Sequence, residues 1–179
     1  MKIFINAGHG GSDPGACGNG LREADVALNI GKLVDKYLKA VGYDTKLFQF
    51  DGLQEICDAA NDFNADLFVS IHCNAGGGTG TETYYFQGSA YGEALAACIQ
   101  KQIVQSLPVV NRGVKHANFY VLKYTDMPAV LVETAFIDNA NDAKLLRDRQ
   151  DDFARAIARG ISDFYAFPNP DVIDTPCRH

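Results

Sequence analysis

The feature that most constrains this chain is the run Ala65 to Asn74, ADLFVSIHCN, in which Leu67, Phe68 and Val69 are apolar without alternation. Such a strand is covered on both faces, because a strand with one solvated face alternates apolar and polar residues. Helical stretches that could do the covering are present. Asp25 to Val41 carries Val26, Ile30, Leu33, Val34, Tyr37, Leu38 and Val41 at helical spacing and closes at Gly42. Gln54 to Asn64 reads as a short helix and Ser89 to Leu107 as a long one stopped by Pro108. Asn139 can cap a helix reaching about Leu146, and Phe153, Ile157, Ile161 and Phe164 mark one face of a final helix. Further strands are expected at Lys2 to Ile5, Asp44 to Phe48, Thr81 to Phe86, Phe119 to Leu122 and Ala129 to Thr134. Arg112 to His116 reads as a basic loop, either a solvated connector or a segment that recognises an acidic or polar substrate.

With 179 residues, 47% of them hydrophobic, one domain with a real core is expected. Its expected extent is 1–166, followed by an extended, proline-containing tail over 167–179. A net charge of -6 and a pI near 5.1 argue against a nucleic-acid binder. No apolar run approaches a membrane span, and no basic segment followed by an apolar stretch opens the chain, so a protein made in the cytoplasm without a signal peptide is expected. The five cysteines, Cys17, Cys57, Cys73, Cys98 and Cys177, are odd in number and include no C-x-x-C pair. They read as reduced, mostly buried thiols rather than a disulfide framework or a thiolate zinc site.

Chemistry gathers at strand ends. Lys2 to Ile5 runs into Ala7-Gly8-His9-Gly10-Gly11, which glycine cannot continue as a strand, so His9 sits just past a strand end. His72 ends the second strand of this kind, immediately before the glycine-rich loop Ala75 to Gly80. Glu23 falls at the start of the first long helix, where a carboxylate can complement the helix dipole or carry a functional role. Glu133 ends the apolar run AVLVE, where a carboxylate is costly to bury unless paired, protonated or near a cation. Glu82 reads as an outward carboxylate on its strand, with support of the site as the alternative. His116 reads as a solvated connector residue.

His9, Glu23 and His72 together supply two imidazoles and a carboxylate, a set suited to a catalytic zinc that keeps a position open for water. A zinc ion so held lowers the pKa of a water to about 7 and polarises a carbonyl. Glu133 is then the general base, which takes the proton and returns it to a leaving amine. The implied reaction is metal-assisted amide hydrolysis.

The stretches INAGHGGSDPGA, Leu21-Arg22-Glu23, ADLFVSIHCNA, GTETYY, RGVK followed by NFYVL, and MPAVLVETAFIDN occur in that order from Lys2 to Tyr165. As a set they resemble the successive signatures of zinc-dependent N-acetylmuramoyl-L-alanine amidases, the catalytic domains of bacterial autolysins and some phage endolysins. The resemblance implies an α/β fold, a single twisted, mostly parallel mixed sheet of about six strands with helices on both faces. It matches His9, Glu23 and His72 to the ligands of one zinc ion per chain and Glu133 to the catalytic glutamate. The implied substrate is peptidoglycan or a muropeptide, cut between the lactyl group of N-acetylmuramic acid and L-alanine. A monomer that acts on the cell wall after lysis or holin-type release is expected.

Two departures bear on that expectation. Asn6 stands where the family often has aspartate, which would alter a contact to a ligand histidine, and Ile56 stands where arginine is common, at the expected rim of the groove. A muropeptide-binding module that does not cut, or a zinc amidase for another peptide amide, are the competing readings. A nucleotide-binding reading fails, because the third glycine of G-x-G-x-x-G would fall at Asp13 and the P-loop version lacks its lysine.

Overall fold

The computed structural model describes residues 1–166; the expected tail over 167–179, with Cys177 and His179, lies outside the described residues. In chain order the elements are β1 (Lys2–Ala7), a small ribbon of β2 (Cys17–Gly18) and β3 (Leu21–Arg22), α1 (Glu23–Ala40), β4 (Asp44–Gln49) and α2 (Leu53–Asp62). There follow β5 (Leu67–Asn74), β6 (Thr81–Tyr85), α3 (Ala90–Ser106), β7 (Asn111–His116), α4 (Tyr120–Lys123), β8 (Ala129–Phe136), α5 (Ala140–Asp148) and α6 (Gln150–Ala166). Six strands form one sheet in the order β4-β1-β5-β8-β6-β7. The pairs β4 to β1, β1 to β5, β5 to β8 and β6 to β7 are parallel, and only β6 against β8 is antiparallel. The mostly parallel mixed sheet implied by the family resemblance is the one observed.

The strand period of two decides where the site lies. Along β5, Leu67, Val69, Ile71 and Cys73 point into one core cluster, shared with α1, α3 and α6 through residues such as Ile30, Val34, Ile99, Ile103, Phe153 and Ile157. The opposite face begins apolar: Phe4 of β1, Phe68 of β5, Leu131 of β8 and Tyr84 of β6 join a second cluster with Ile56 and Cys57 of α2 and Val121 and Leu122 of α4. Phe4 stacks on Phe68 with ring centroids 5.8 Å apart, both fully buried. Burying each such ring stabilises the fold by roughly 1.5–3 kcal/mol. Two residues further along each parallel strand, this second face turns polar. Phe4 gives way to Asn6, Phe68 to Ser70 and then His72, and Leu131 to Glu133; on the reversed β6, Tyr84 is preceded by Glu82. The second face is thus apolar core at one end and polar at the other.

Local signals act where expected. The Ser89 hydroxyl accepts from the Gly92 amide to cap α3, and the Asn139 side chain accepts from Asn141 and Asp142 to cap α5; each cap contributes about 1 kcal/mol.

Three readings of the sequence need correction. Arg112 to His116 is no loop but part of β7, an edge strand paired in parallel with β6, because Val114 has an apolar face to bury against the first cluster. Phe119 to Leu122 is no strand: Phe119 is the N-cap of the short helix α4, whose Val121 and Leu122 dip into the second cluster. Glu82 does not point outward but is 2% exposed. The ribbon of β2 and β3 within the first glycine-rich loop was not expected. Of the described cysteines, Cys57 and Cys73 are buried, Cys98 is half-buried and Cys17 is exposed.

Candidate active site

The loop after β1 turns back on itself through reciprocal backbone hydrogen bonds between Gly10 and Asp13 (2.9 and 2.8 Å). This places Asp13 Oδ2 2.6 Å from His9 Nδ1 and aims His9 Nε2 at Glu23 Oε1, 3.1 Å away. His9 itself has φ +60, a left-handed conformation that is unusual for a non-glycine residue and occurs where a site constrains the backbone. Glu23, the first residue of α1, does not cap its own helix. Its Oε2 accepts from the Ala16 amide at 2.8 Å and its Oε1 from the Cys73 amide at 3.0 Å, while His72 Nδ1 lies 2.9 Å from Oε1.

Three elements far apart in the chain, the β1 loop, the start of α1 and the end of β5, thereby bring one donor atom each from His9, Glu23 and His72 within 4.8 Å of one another. The donor set fits a zinc ion: two imidazole nitrogens and one carboxylate oxygen, with the remaining nitrogen of His9 held by a carboxylate, the arrangement that orients a ligating histidine. The cradle is tight. A Cβ at Gly8 would sit 2.3 Å from the His72 ring, and one at Gly15 would sit 2.6 Å from the His9 ring and 2.7 Å from Glu23 Oε2, so only glycine lets the loop close over these groups.

The electrostatics record the same convergence. Hydrogen bonding to Glu23, aided by Asp13 and opposed by burial, raises the His9 pKa to about 9. Burial pushes the Glu23 carboxyl up, but the hydrogen bonds from His72 and His9 prevail and hold it well below the usual carboxylate range. These are groups arranged to share a positive charge.

Glu133 is the neighbour of His72 across the β5 to β8 pairing. Its Oε2 is shut off from solvent with no hydrogen-bond partner. Burial above all raises its pKa to about 7, with His72 opposing and Glu23 and Glu82 adding. A carboxyl near neutrality can both take and return a proton at physiological pH.

Beyond Glu133 lies Glu82, its partner across the β6 to β8 pairing. The Glu82 carboxylate accepts from Asn74 Nδ2 (2.6 Å), the Tyr84 hydroxyl (3.0 Å) and Arg112 Nε (2.8 Å), and pairs with the Lys115 ammonium. Sequence reasoning offered support of the site only as the alternative for Glu82, did not connect it with Arg112 and Lys115, and missed Asp13. The position of Asp13 four residues after His9 in a glycine-rich loop could have signalled it, whereas Glu82 only acquires meaning once β6 is known to lie beside β8.

The remaining expectations sort cleanly. His116 is not brought to the site; its ring meets Tyr85, which packs toward the first core cluster. Asn6 is buried, with Oδ1 accepting from the Ser70 hydroxyl at 2.6 Å and Nδ2 donating to the Ala7 and Phe48 carbonyls. It ties β1 to β5 beneath the site, and its hydrogen bonds go to these three residues rather than to a ligand histidine. Ile56 is 2% exposed in the second cluster, a core residue rather than part of a groove rim.

Comparison with known proteins converges on one family. The chain is 46% identical over 175 residues to N-acetylmuramoyl-L-alanine amidase LytC of Bacillus subtilis (strain 168), covering 91% of this chain and 35% of that protein. It is 40% identical over 174 residues to the endolysin of Bacillus phage SPP1, covering 90% of this chain and 63% of that one. The chain therefore spans about a third and under two thirds of these two relatives. The solved N-acetylmuramoyl-L-alanine amidase AmiC2 of Nostoc punctiforme superposes with a TM-score of 0.87 at 39% identity, covering 92% of this chain and 97% of that chain. The profile described as N-acetylmuramoyl-L-alanine amidase matches residues 3–163. With the fold, the order of its signatures and the match over nearly all described residues in agreement, this chain belongs to the N-acetylmuramoyl-L-alanine amidase family, a family of amide hydrolases that act on peptidoglycan.

Proposed function

We propose that this chain cleaves the amide between the lactyl group of N-acetylmuramic acid and the L-alanine of the stem peptide, with His9, Glu23 and His72 holding one zinc ion and Glu133 as general base. The observation that carries the proposal is the convergence of those three donors beside a buried carboxylate oxygen that has no partner. A bound zinc supplies Lewis acidity, lowering the pKa of a water to about 7 and polarising the scissile carbonyl. Glu23 contributes the negative charge that makes the cluster a cation site, and the Ala16 and Cys73 amides fix its orientation. Asp13 holds His9 Nδ1, leaving Nε2 to face the centre. Glu133 accepts the proton of the attacking water and delivers it to the leaving amine; its place on β8, paired with His72 on β5, puts it beside the donor cluster. Residues 1–166 are the catalytic unit in this reading, a single chain suffices, and the place of action is the cell wall, reached on release at lysis. No helix among the described residues is long and apolar enough to cross a membrane.

The test incubates the protein with purified peptidoglycan, with and without a zinc chelator, and follows free amino groups, reducing ends and the N-terminal residue released. Chelator-sensitive release of N-terminal alanine without new reducing ends is the expected result. Glu133→Gln is expected to lower the rate by about 10²–10⁴ while zinc stoichiometry stays at one per chain. Zinc bound with no bond cut would transfer the site to a non-catalytic muropeptide-binding role, and cutting of a different amide would replace the substrate.

A further inference from the structure

The sheet order lays the chemistry out in a line. His9 follows β1, His72 ends β5, Glu133 sits on β8, Glu82 on β6, and Lys115 and Arg112 on β7, so successive groups are one strand further across the second face. This inference rests on the amidase reading above: if Glu133 returns its proton to the leaving amine, the amine lies at β8 with the carbonyl toward β5. The peptide that leaves with the amine then extends over β6 and β7. Adjacent strands are about 4.8 Å apart, so the groups gathered at Glu82 stand roughly one residue's length from the amine.

What waits there is an excess of positive charge. Glu82 is 2% exposed, and one carboxylate requires one cation, yet both Arg112 and Lys115 converge on its Oε2. The side chains of these cations are 34% and 38% exposed; Arg112 also donates Nη1 to the Thr79 carbonyl at 3.5 Å, and each cation carries more donors than these contacts use. Arg112 is held further by the Phe136 ring, 4.9 Å from its guanidinium carbon, and Lys115 by the Tyr84 ring at 6.0 Å. Neither cation is drawn off by Glu133, whose Oε2 has no partner. Two long, flexible cations fixed in place by a buried anion and by aromatic faces form a preorganised anion site.

We propose that Arg112 and Lys115, anchored on the buried Glu82, form a subsite for a carboxylate on the residue that follows the leaving L-alanine. The chain then distinguishes stem peptides in which that carboxylate is free from those in which it is a carboxamide, because the carboxamide offers the surplus cation no charge to pair with.

The test gives zinc-loaded protein two synthetic muramyl peptides that differ only in a carboxylate or a carboxamide on the residue after L-alanine. The free acid is expected to be favoured about tenfold in kcat/KM, the scale of one charge-assisted hydrogen bond. Lys115→Gln, which leaves Arg112 to neutralise Glu82, is expected to bring the ratio to near one through a raised KM for the acid. Lys115→Arg is expected to keep the preference. Equal kcat/KM for the two compounds in the parent protein, or a preference that survives Lys115→Gln, would overturn the subsite while leaving the amidase reading intact. If neither compound is cut, the amidase reading fails, and equilibrium binding of the same two compounds decides the subsite: tighter binding of the acid that Lys115→Gln removes supports it, and equal binding overturns it.

Discussion

At the scale of single residues, the site depends on groups that the reacting atoms never touch. Asp13 is half-exposed and outside the donor set, but it holds His9 by a 2.6 Å contact to Nδ1 and also accepts from the Gly15 amide. Outer partners of this kind typically contribute 10–100-fold to metal affinity. Asp13→Asn is accordingly expected to weaken zinc binding by about that factor in a chelator competition, with little change in melting temperature of the zinc-free protein. Glu82 shows the same dependence in the opposite direction, as a charge whose burial must be balanced. Burial raises its pKa, but hydrogen bonds from Lys115, Arg112 and Tyr84 prevail and depress it below the ordinary 4.5. A depressed carboxyl contributes stability that is complete above the unfolded value and is lost as pH falls through the folded one. Urea denaturation is therefore expected to show the parent protein losing more stability below about pH 4.5 than Glu82→Gln does; parallel acid limbs would show that the network is not coupled to folding.

At the scale of elements, the turn from apolar to polar along each strand is what makes a site. β5 anchors the second core cluster with Phe68 and, four residues later on the same face, presents His72. The rigid part of the strand thus sets the position of that candidate donor. The loop after β1 is positioned instead by its glycines. Gly15 has φ +64, and an added Cβ would collide with both the His9 ring and Glu23. Gly15→Ala combines backbone strain with that collision, so it is expected to destabilise the fold by more than about 1 kcal/mol and to abolish stoichiometric zinc binding. Zinc bound normally by this variant would mean that the loop can open without disturbing the ligands.

At the scale of the whole molecule, the three donors come from the first loop, the first helix and a central strand, so a bound ion adds a tie between parts of the fold that already meet through the sheet, the first core and the hydrogen bonds of Glu23. A ligand that binds the native state alone stabilises it by about 4 kcal/mol at a thousand times its Kd. Thermal melting is expected to shift upward with zinc, to fall on chelation, and to be insensitive to zinc in His72→Ala. A shift that persists in that variant would place the stabilising ion elsewhere.

Those scales separate what the chain reveals before folding from what it reveals afterwards. The covered strands, the long helices and the four chemical residues were legible because each depends on local pattern: Leu67, Phe68 and Val69 in succession, Val26 to Leu38 at helical spacing, histidines where a strand meets glycine. β7 and α4 were not, since Arg112 to His116 becomes a strand only by pairing with β6, and Tyr120 to Lys123 turns helical where the second cluster accepts Val121 and Leu122. Glu82 reads as a surface carboxylate until β6 lies beside β8 and two cations from β7 close over it. The sequence by itself determined the covered strands and the long helices and nominated His9, Glu23, His72 and Glu133, because periodicity and residue chemistry are local, while the family resemblance implied the fold class. Only the tertiary structure decided which charges share a face and in what order they stand, because strand neighbours are chosen by long-range packing that no local pattern encodes.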